Sequence, residues 1–146
     1  MKKLAAQLER RREEGDEAPT MAVEADFMEP EVREKAVRVG NDMAGNFEKA
    51  HKAGVRIAYG TDSGISRHGT NAEEAVLMVE AGMSAMDVLV SATINAADLI
   101  DMSGSLGTIE NGKQADIIAV DASPLDDIGA LLDVDFVMKG GKNCKE

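Results

Sequence analysis

The chain has 146 residues and a formal net charge of −11, from 27 acidic and 16 basic side chains. This charge repels nucleic acid and anionic membrane surfaces, so neither is an expected partner. The one cysteine, Cys144, excludes an intrachain disulfide and thiolate metal clusters. We recognise neither a signal peptide nor an apolar run of about 20 residues, and we therefore expect a cytoplasmic protein.

Residues 1–25 are expected to form a charged, loosely ordered lead-in, because they combine a helix-like charged composition with the turn-forming sequence GDEAPT. A helix is predicted from Pro30 to Ala53, since apolar residues recur there at spacings of three and four. Pro30 suits the first turn and Gly54 suits the stop. The apolar stripe consists of Val32, Ala36, Val39, Met43, Phe47 and Ala50.

The sequence VRIAYGTDSG, residues 55–64, predicts a buried strand that ends at an acid. Its first six residues are apolar apart from Arg56, a pattern typical of a parallel strand covered by helices. Loops that follow such strands form the active face of parallel α/β folds, so Asp62 is a candidate functional residue. Gly60 and Gly64 would let the backbone turn and leave room for a ligand. The alternative is that Asp62 only caps a turn.

Two more helices are predicted after this loop. Asn71 and Glu74 have the spacing of a capping box before a helix that closes at Gly82. Ser84 and Asp87 repeat this spacing at the start of the next region, which reads as two short helical stretches. The succession of helix, strand, loop and helix indicates a parallel α/β unit.

The pattern changes near residues 103–105, where we predict a boundary between an α/β part, 26–103, and a β-rich part, 104–146. The β-rich part carries turn signals at Asn111-Gly112 and Gly140-Gly141, a strand-like run from Ala115 to Val120, a loop with a helical turn, and two short strands flanking the second turn.

Several ordered motifs make the chain similar to the metal-dependent amidohydrolase superfamily. They are GVRIAYGTDSG, HGTNAEEAVLMVEAGMSAMDVLVSATINAADLI and GSLGTIENGKQADIIAVDASPL, and the resemblance runs from about Phe27 to Lys142. Within the superfamily, the chain looks like the carboxyl-terminal part of prolidase-like Xaa-Pro or Xaa-Arg dipeptidases. The resemblance implies an α/β fold comprising the last portion of a (β/α)8 TIM barrel and part of a small β-sandwich.

The resemblance also implies a role for Asp62. In this superfamily the acid that ends the eighth strand is a metal ligand and a proton shuttle, and Asp62 occupies that position. Its carboxylate would take a proton from water bound to zinc and pass the proton to the leaving amine. The implied activity is hydrolysis of a C–N bond in a dipeptide or another small-molecule substrate, with a binuclear zinc centre in the complete enzyme.

Most metal ligands of the superfamily have no counterpart in this sequence. The family uses a His-x-His pair, a carboxylated lysine and two further histidines, whereas the chain has only His51 and His68. A catalytic zinc normally takes three protein ligands. We therefore expect a portion of an amidohydrolase that is inactive alone and is completed by a fragment carrying the earlier barrel strands.

The loop after Asp62 holds further candidates. By the resemblance, His68 could contact substrate, although it is equally well explained as a surface histidine. Arg67 could pair with a substrate carboxylate, although an exposed arginine is the commoner outcome. His51 lies near a helix end, where a cationic imidazole interacts favourably with the helix dipole. Ser63 lacks the G-x-S-x-G context of a hydrolase nucleophile.

Other functions stay open at this point. A noncatalytic remnant could persist as a homo-oligomer that buries the open barrel edges against a second copy. Related members of the superfamily deaminate or open rings instead of cleaving peptides. Phosphate binding at the glycine-containing loop is the weakest reading, because Asp62 would repel the anion.

Overall fold

The structure is a computed structural model, and it describes residues 29–62 and 69–145. The chain divides into two compact units, Met1–Gly54 and Val55–Glu146. The predicted lead-in over residues 1–25 lies outside the described residues. The predicted boundary at residues 103–105 stays a prediction, while the mixture of helices with a small sheet agrees with the expected α/β character.

Helix α1, Pro30–Lys52, belongs to the first unit and confirms the predicted helix. Proline stands at its first position, where the missing N–H is not needed, and Gly54 follows its end with a φ of 76°. Two members of the apolar stripe, Val39 and Met43, are 43% and 56% exposed. This part of the stripe therefore has little cover from the described residues.

The second unit begins its helical part with α2, Glu73–Glu80, and continues with a longer helical run. That run consists of α3, Ala85–Val90, a π-helical turn, Ser91–Asn95, and α4, Ala96–Leu99. The two short stretches predicted from sequence are thus present, and the π turn joins them. Such a turn winds more widely than an α-helix and shifts the backbone carbonyls out of α-helical register.

The two predicted helix caps have different outcomes. The Asp87 N–H donates to Ser84 Oγ at 3.1 Å, which confirms the predicted cap of α3. At α2 the prediction is wrong, because the N-cap residue is Ala72 and no side chain caps the helix. The amide of Asn71 is engaged elsewhere, as its Nδ2 donates to Thr61 Oγ1 at 3.1 Å.

The β-rich part forms an antiparallel sheet of three strands in the order β1-β2-β3. The strands are β1, Ile117–Ala119, β2, Phe136–Lys139, and β3, Lys142–Lys145. A 3-10 helix, Ile128–Leu132, lies between β1 and β2 and is the helical turn expected there. Gly140 and Gly141 form the predicted turn between β2 and β3 with φ angles of 56° and 76°.

Asp116, just before β1, ties the sheet to this turn. Its carboxylate accepts the Gly140 N–H at 2.7 Å and also contacts the Lys139 ammonium. The hydrogen bond from Lys139 and then the one from Gly140 hold the pKa of Asp116 below its usual value. These contacts join the start of β1 to the end of β2.

The predicted strand over residues 55–60 is not a strand in the structure. A strand requires a hydrogen-bonded neighbour, and the described part of the chain places none beside this segment. The Tyr59 N–H instead donates to Ser91 O at 3.0 Å, and the carbonyl of Ile57 accepts from Asn95 Nδ2 at 2.8 Å. The segment is therefore held by the π turn.

The core of the second unit lies among α2, α3, α4 and the 3-10 helix. Helix α2 packs against the 3-10 helix. Its buried apolar residues are Ala75, Val76, Met78, Met83, Val88, Ala97 and Ile128. Ser91 is also fully buried, and its hydroxyl donates to Val88 O at 2.7 Å. Among the described helices, none is both long and apolar enough to cross a membrane.

Gly107 brings the loop after α4 against the helical run. A Cβ added there would lie 2.9 Å from the Cβ of Ala97 and 3.1 Å from the carbonyl oxygen of Thr93. Its φ of 90° is also one that favours glycine. Gly112 has nearly the same φ, 92°, but open space around it.

We expect Gly107→Ala to lower the free energy of unfolding by about 1–3 kcal/mol more than Gly112→Ala does. Both substitutions incur the cost of a left-handed residue, whereas only the first forces a methyl group into packed atoms. Urea unfolding of the two variants measures the difference. Equal losses would show that the loop is not packed closely against the helix.

Candidate functional site

The candidate site is the end of the segment 55–62, where the chain reaches Asp62. This residue is exposed and has a φ of 50°, in the left-handed region that only glycine, asparagine and aspartate enter with any ease. Gly60 does not have a positive φ, and Gly64 lies outside the described residues. Open space surrounds Gly60, which leaves room beside the segment.

The beginning of this segment is fixed by the helical run. Asn95, at the end of the π turn, donates to Ile57 O at 2.8 Å and accepts from Arg56 Nε at 3.0 Å. The guanidinium of Arg56 also pairs with Asp98 on α4, an exposed ion pair of small energetic weight. One amide side chain thereby satisfies both a backbone carbonyl and an arginine.

The end of the segment is fixed by Asn71. The Tyr59 hydroxyl donates to the backbone carbonyl of Asn71, and Asn71 Nδ2 donates to Thr61 Oγ1 at 3.1 Å. Burial raises the pKa of Tyr59, and the negative charge of Glu74 raises it further, so the hydroxyl keeps its proton at neutral pH and remains a donor. We call Tyr59, Thr61 and Asn71 the loop brace.

The described residues do not complete a metal centre around Asp62. No group of three or more histidine, cysteine, aspartate and glutamate side chains that could hold a metal ion occurs within residues 29–62 and 69–145. Zinc requires about three protein ligands, and one exposed carboxylate does not supply them. The described residues therefore offer one candidate ligand, Asp62, for the zinc centre that the sequence resemblance implies, and not the complete set.

The other sequence candidates are not brought together with Asp62 in the described part of the structure. His68, Arg67 and Ser63 lie outside the described residues, so their roles stay predictions. His51 lies in the last turn of α1, among basic residues, and belongs to the first unit. This position agrees with a favourable interaction between a cationic imidazole and the helix dipole.

Sequence reasoning missed the loop brace and the part played by Asn95. Tyr59 falls in the predicted strand, Thr61 in the loop that follows it, and Asn71 at a predicted helix cap. The available signal was their spacing, since Ile57, Tyr59 and Thr61 are two residues apart and alternate residues of an extended chain share a side. Nothing in the sequence indicated which helical residues would meet them.

Comparison with known proteins identifies the family. The profile described as "Amidohydrolase family" matches residues 17–144. A solved structure described as a Xaa-Pro dipeptidase with methionine bound in its active site has 47% sequence identity and a TM-score of 0.77, covering 84% of this chain and 30% of that one. The chain belongs to the amidohydrolase family.

Two sequence relatives carry other names. The imidazolonepropionase of Thermoanaerobacter pseudethanolicus is 33% identical over 124 residues, which are 72% of this chain and 30% of that protein. The 5-methylthioadenosine/S-adenosylhomocysteine deaminase of Teredinibacter turnerae is 36% identical over 83 residues, which are 50% of this chain and 19% of that protein. The chain thus spans less than a third of each of these proteins.

The left-handed conformation of Asp62 leads to a stability prediction. We expect Asp62→Ala to lower the free energy of unfolding by about 1 kcal/mol relative to Asp62→Asn, because asparagine tolerates this conformation and alanine does not. Asp101, with a φ of 57°, provides a matched second position. Chemical denaturation of both pairs measures the effect, and equal stability of the two Asp62 variants would contradict a left-handed Asp62.

Proposed function

We propose that this chain is the carboxyl-terminal portion of a zinc-dependent amidohydrolase that hydrolyses dipeptides of the prolidase type. The observation that carries this proposal is the 47% identity to the Xaa-Pro dipeptidase structure over 84% of the chain. In this proposal, residues 26–103 are the last part of the barrel and residues 104–146 belong to the β-sandwich. The lead-in over residues 1–25 stands outside both.

Asp62 is the carboxylate that this chain contributes to the active site. It is exposed at the end of a braced segment, and its carboxylate has no hydrogen-bond or ion-pair partner among the described residues. A carboxylate at this position can serve as a metal ligand and as a general acid or base. His68 and Arg67 follow Asp62 in the sequence and are proposed to contact the substrate. Arg67 would pair with a carboxylate of the substrate.

The chain by itself is proposed to be inactive. The described residues supply one carboxylate where a zinc centre needs about three ligands, and the other ligands are proposed to come from a further polypeptide segment. The proposed partner is a fragment that carries the earlier barrel strands. Hydrolysis is therefore expected only from the assembled complex.

Reconstitution tests this proposal directly. The chain is combined with a polypeptide carrying the remainder of the Xaa-Pro dipeptidase with which it shares 47% identity. We expect the complex, but neither part alone, to retain zinc by elemental analysis and to hydrolyse Xaa-Pro dipeptides. Asp62→Asn is expected to lower the rate by about a hundredfold or more, the usual loss on removing a general acid or base.

Asp101→Asn is the matched control, because Asp101 is also an exposed aspartate with a positive φ. It removes the same charge from the same backbone conformation at a different place. Full activity of the Asp62→Asn complex would refute the role of Asp62. A zinc-loaded complex that cleaves no dipeptide but releases ammonia from an adenine nucleoside would replace the dipeptidase proposal with a deaminase, the activity named for one relative.

The exposed stripe on α1 favours a second candidate, a noncatalytic homo-oligomer. Val39 and Met43 stand one helical turn apart, and apolar side chains so exposed gain free energy when a second copy covers them. The first and second candidates differ in what the isolated chain does. Only the second requires self-association without any complementing fragment.

For the oligomer, we expect Met43→Glu to convert an assembled species into a monomer, because a charge would be buried in the contact. Ala44→Glu adds the same charge at an exposed position away from the stripe and should leave the assembly intact. Light scattering with size-exclusion chromatography measures both masses. A monomeric unsubstituted chain would exclude this candidate.

A further inference from the structure

The segment that leads to Asp62 is anchored at every second residue. Ile57 is held through its carbonyl by Asn95, Tyr59 through its N–H by Ser91 and its hydroxyl by Asn71, and Thr61 through its hydroxyl by Asn71. These anchors replace the strand neighbours that the segment lacks among the described residues. The last of them is the residue directly before Asp62.

Asn71 contacts the segment through two groups, its backbone carbonyl and its side-chain amide. It stands just before α2, where an asparagine side chain would ordinarily accept a backbone N–H and stabilise the helix by about 1 kcal/mol. The helix instead begins without a side-chain cap, and the amide of Asn71 turns to Thr61. The local preference for capping is thus not realised at a residue that contacts Thr61, the sequence neighbour of the candidate acid.

We propose that Asn71 is the positioning residue of Asp62. By holding Thr61 through its hydroxyl, it fixes the peptide that joins Thr61 to Asp62 and keeps Asp62 in its left-handed conformation. The catalytic role of this positioning rests on the proposed function, because the loop brace matters for catalysis only if the Asp62 carboxylate takes part in the reaction. The proposed effect of Asn71 on the backbone conformation of Asp62 does not depend on that function.

The geometry can be tested on the full chain without metal or partner. A residue with a positive φ gives a strong intraresidue nuclear Overhauser effect between its amide and α protons, because the two protons lie close together. We expect this strong signal at Asp62 to weaken to the ordinary intensity of a residue with negative φ in Thr61→Val, which removes the acceptor oxygen while preserving shape, and in Asn71→Ala. Thr61→Ser restores the oxygen and should restore the signal.

Asp101 serves as an internal control, because its φ of 57° lies in the same region and it has no part in the brace. Its signal should be unchanged in all three variants. Persistence of the Asp62 signal in both Thr61→Val and Asn71→Ala would overturn the proposal. A second measurement uses the unsubstituted protein. If no nuclear Overhauser effect connects the Asn71 side-chain amide with the Thr61 side chain, the proposal is overturned as well.

The reconstituted complex supplies the functional readout. We expect Thr61→Val to lower kcat by about tenfold to a hundredfold with little change in KM, since small displacements of a reacting group cost this much, and Thr61→Ser to restore it. Loss of activity in Asp62→Asn with full kcat in Thr61→Val would refute the positioning role alone. Full activity in Asp62→Asn would instead refute the proposed function and leave the nuclear Overhauser result standing.

Discussion

The described arrangement of the second unit depends on how the backbone of residues 57–59 is hydrogen bonded. Residues 57–59 are half-buried, and backbone N–H and C=O groups that lose contact with water are costly unless they find hydrogen-bond partners. The π turn at Ser91–Asn95 provides them, with a backbone carbonyl for Tyr59 and a side-chain amide for Ile57. The π turn therefore fixes the segment on which the candidate acid stands.

The same helical run is fixed from its other side by the loop after α4. Gly107 approaches Thr93 and Ala97 so closely that no larger residue fits without rearrangement. The helical run thus lies between the segment that carries Asp62 and the loop that leads into the sheet. Close packing transmits a displacement at one contact to its neighbours, so the position of the acid depends on residues far from it in sequence.

The chain spans only part of the amidohydrolases that it resembles. Membership of the family rests on a match over residues 17–144, and the chain spans 30% of the Xaa-Pro dipeptidase structure. Among the described residues, Asp62 has a left-handed backbone and follows a hydrogen-bonded segment, and no metal centre is assembled around it. The function proposed here accordingly belongs to a complex.

Local signals in the sequence were sufficient for features that local chemistry decides. Proline at the start of α1, the Ser84 cap of α3 and the glycine turn between β2 and β3 each follow from the conformational preferences of one or two residues, and each is present. Asp62 was likewise singled out by sequence, through its place after an apolar run. Its left-handed backbone, however, was not expected.

Tertiary structure decided the contacts between distant residues, because a side chain can contact a partner far away in sequence only when folding brings the two together. Asn71 could cap α2 or hold Thr61, and only the folded chain brings Thr61 within its reach. Residues 55–60 could pair with another strand or form hydrogen bonds to a helix. Among the described residues, the Tyr59 N–H bonds to Ser91 in the helical run. The sequence by itself determined which residues can turn, cap and carry charge; the fold determined which of them meet.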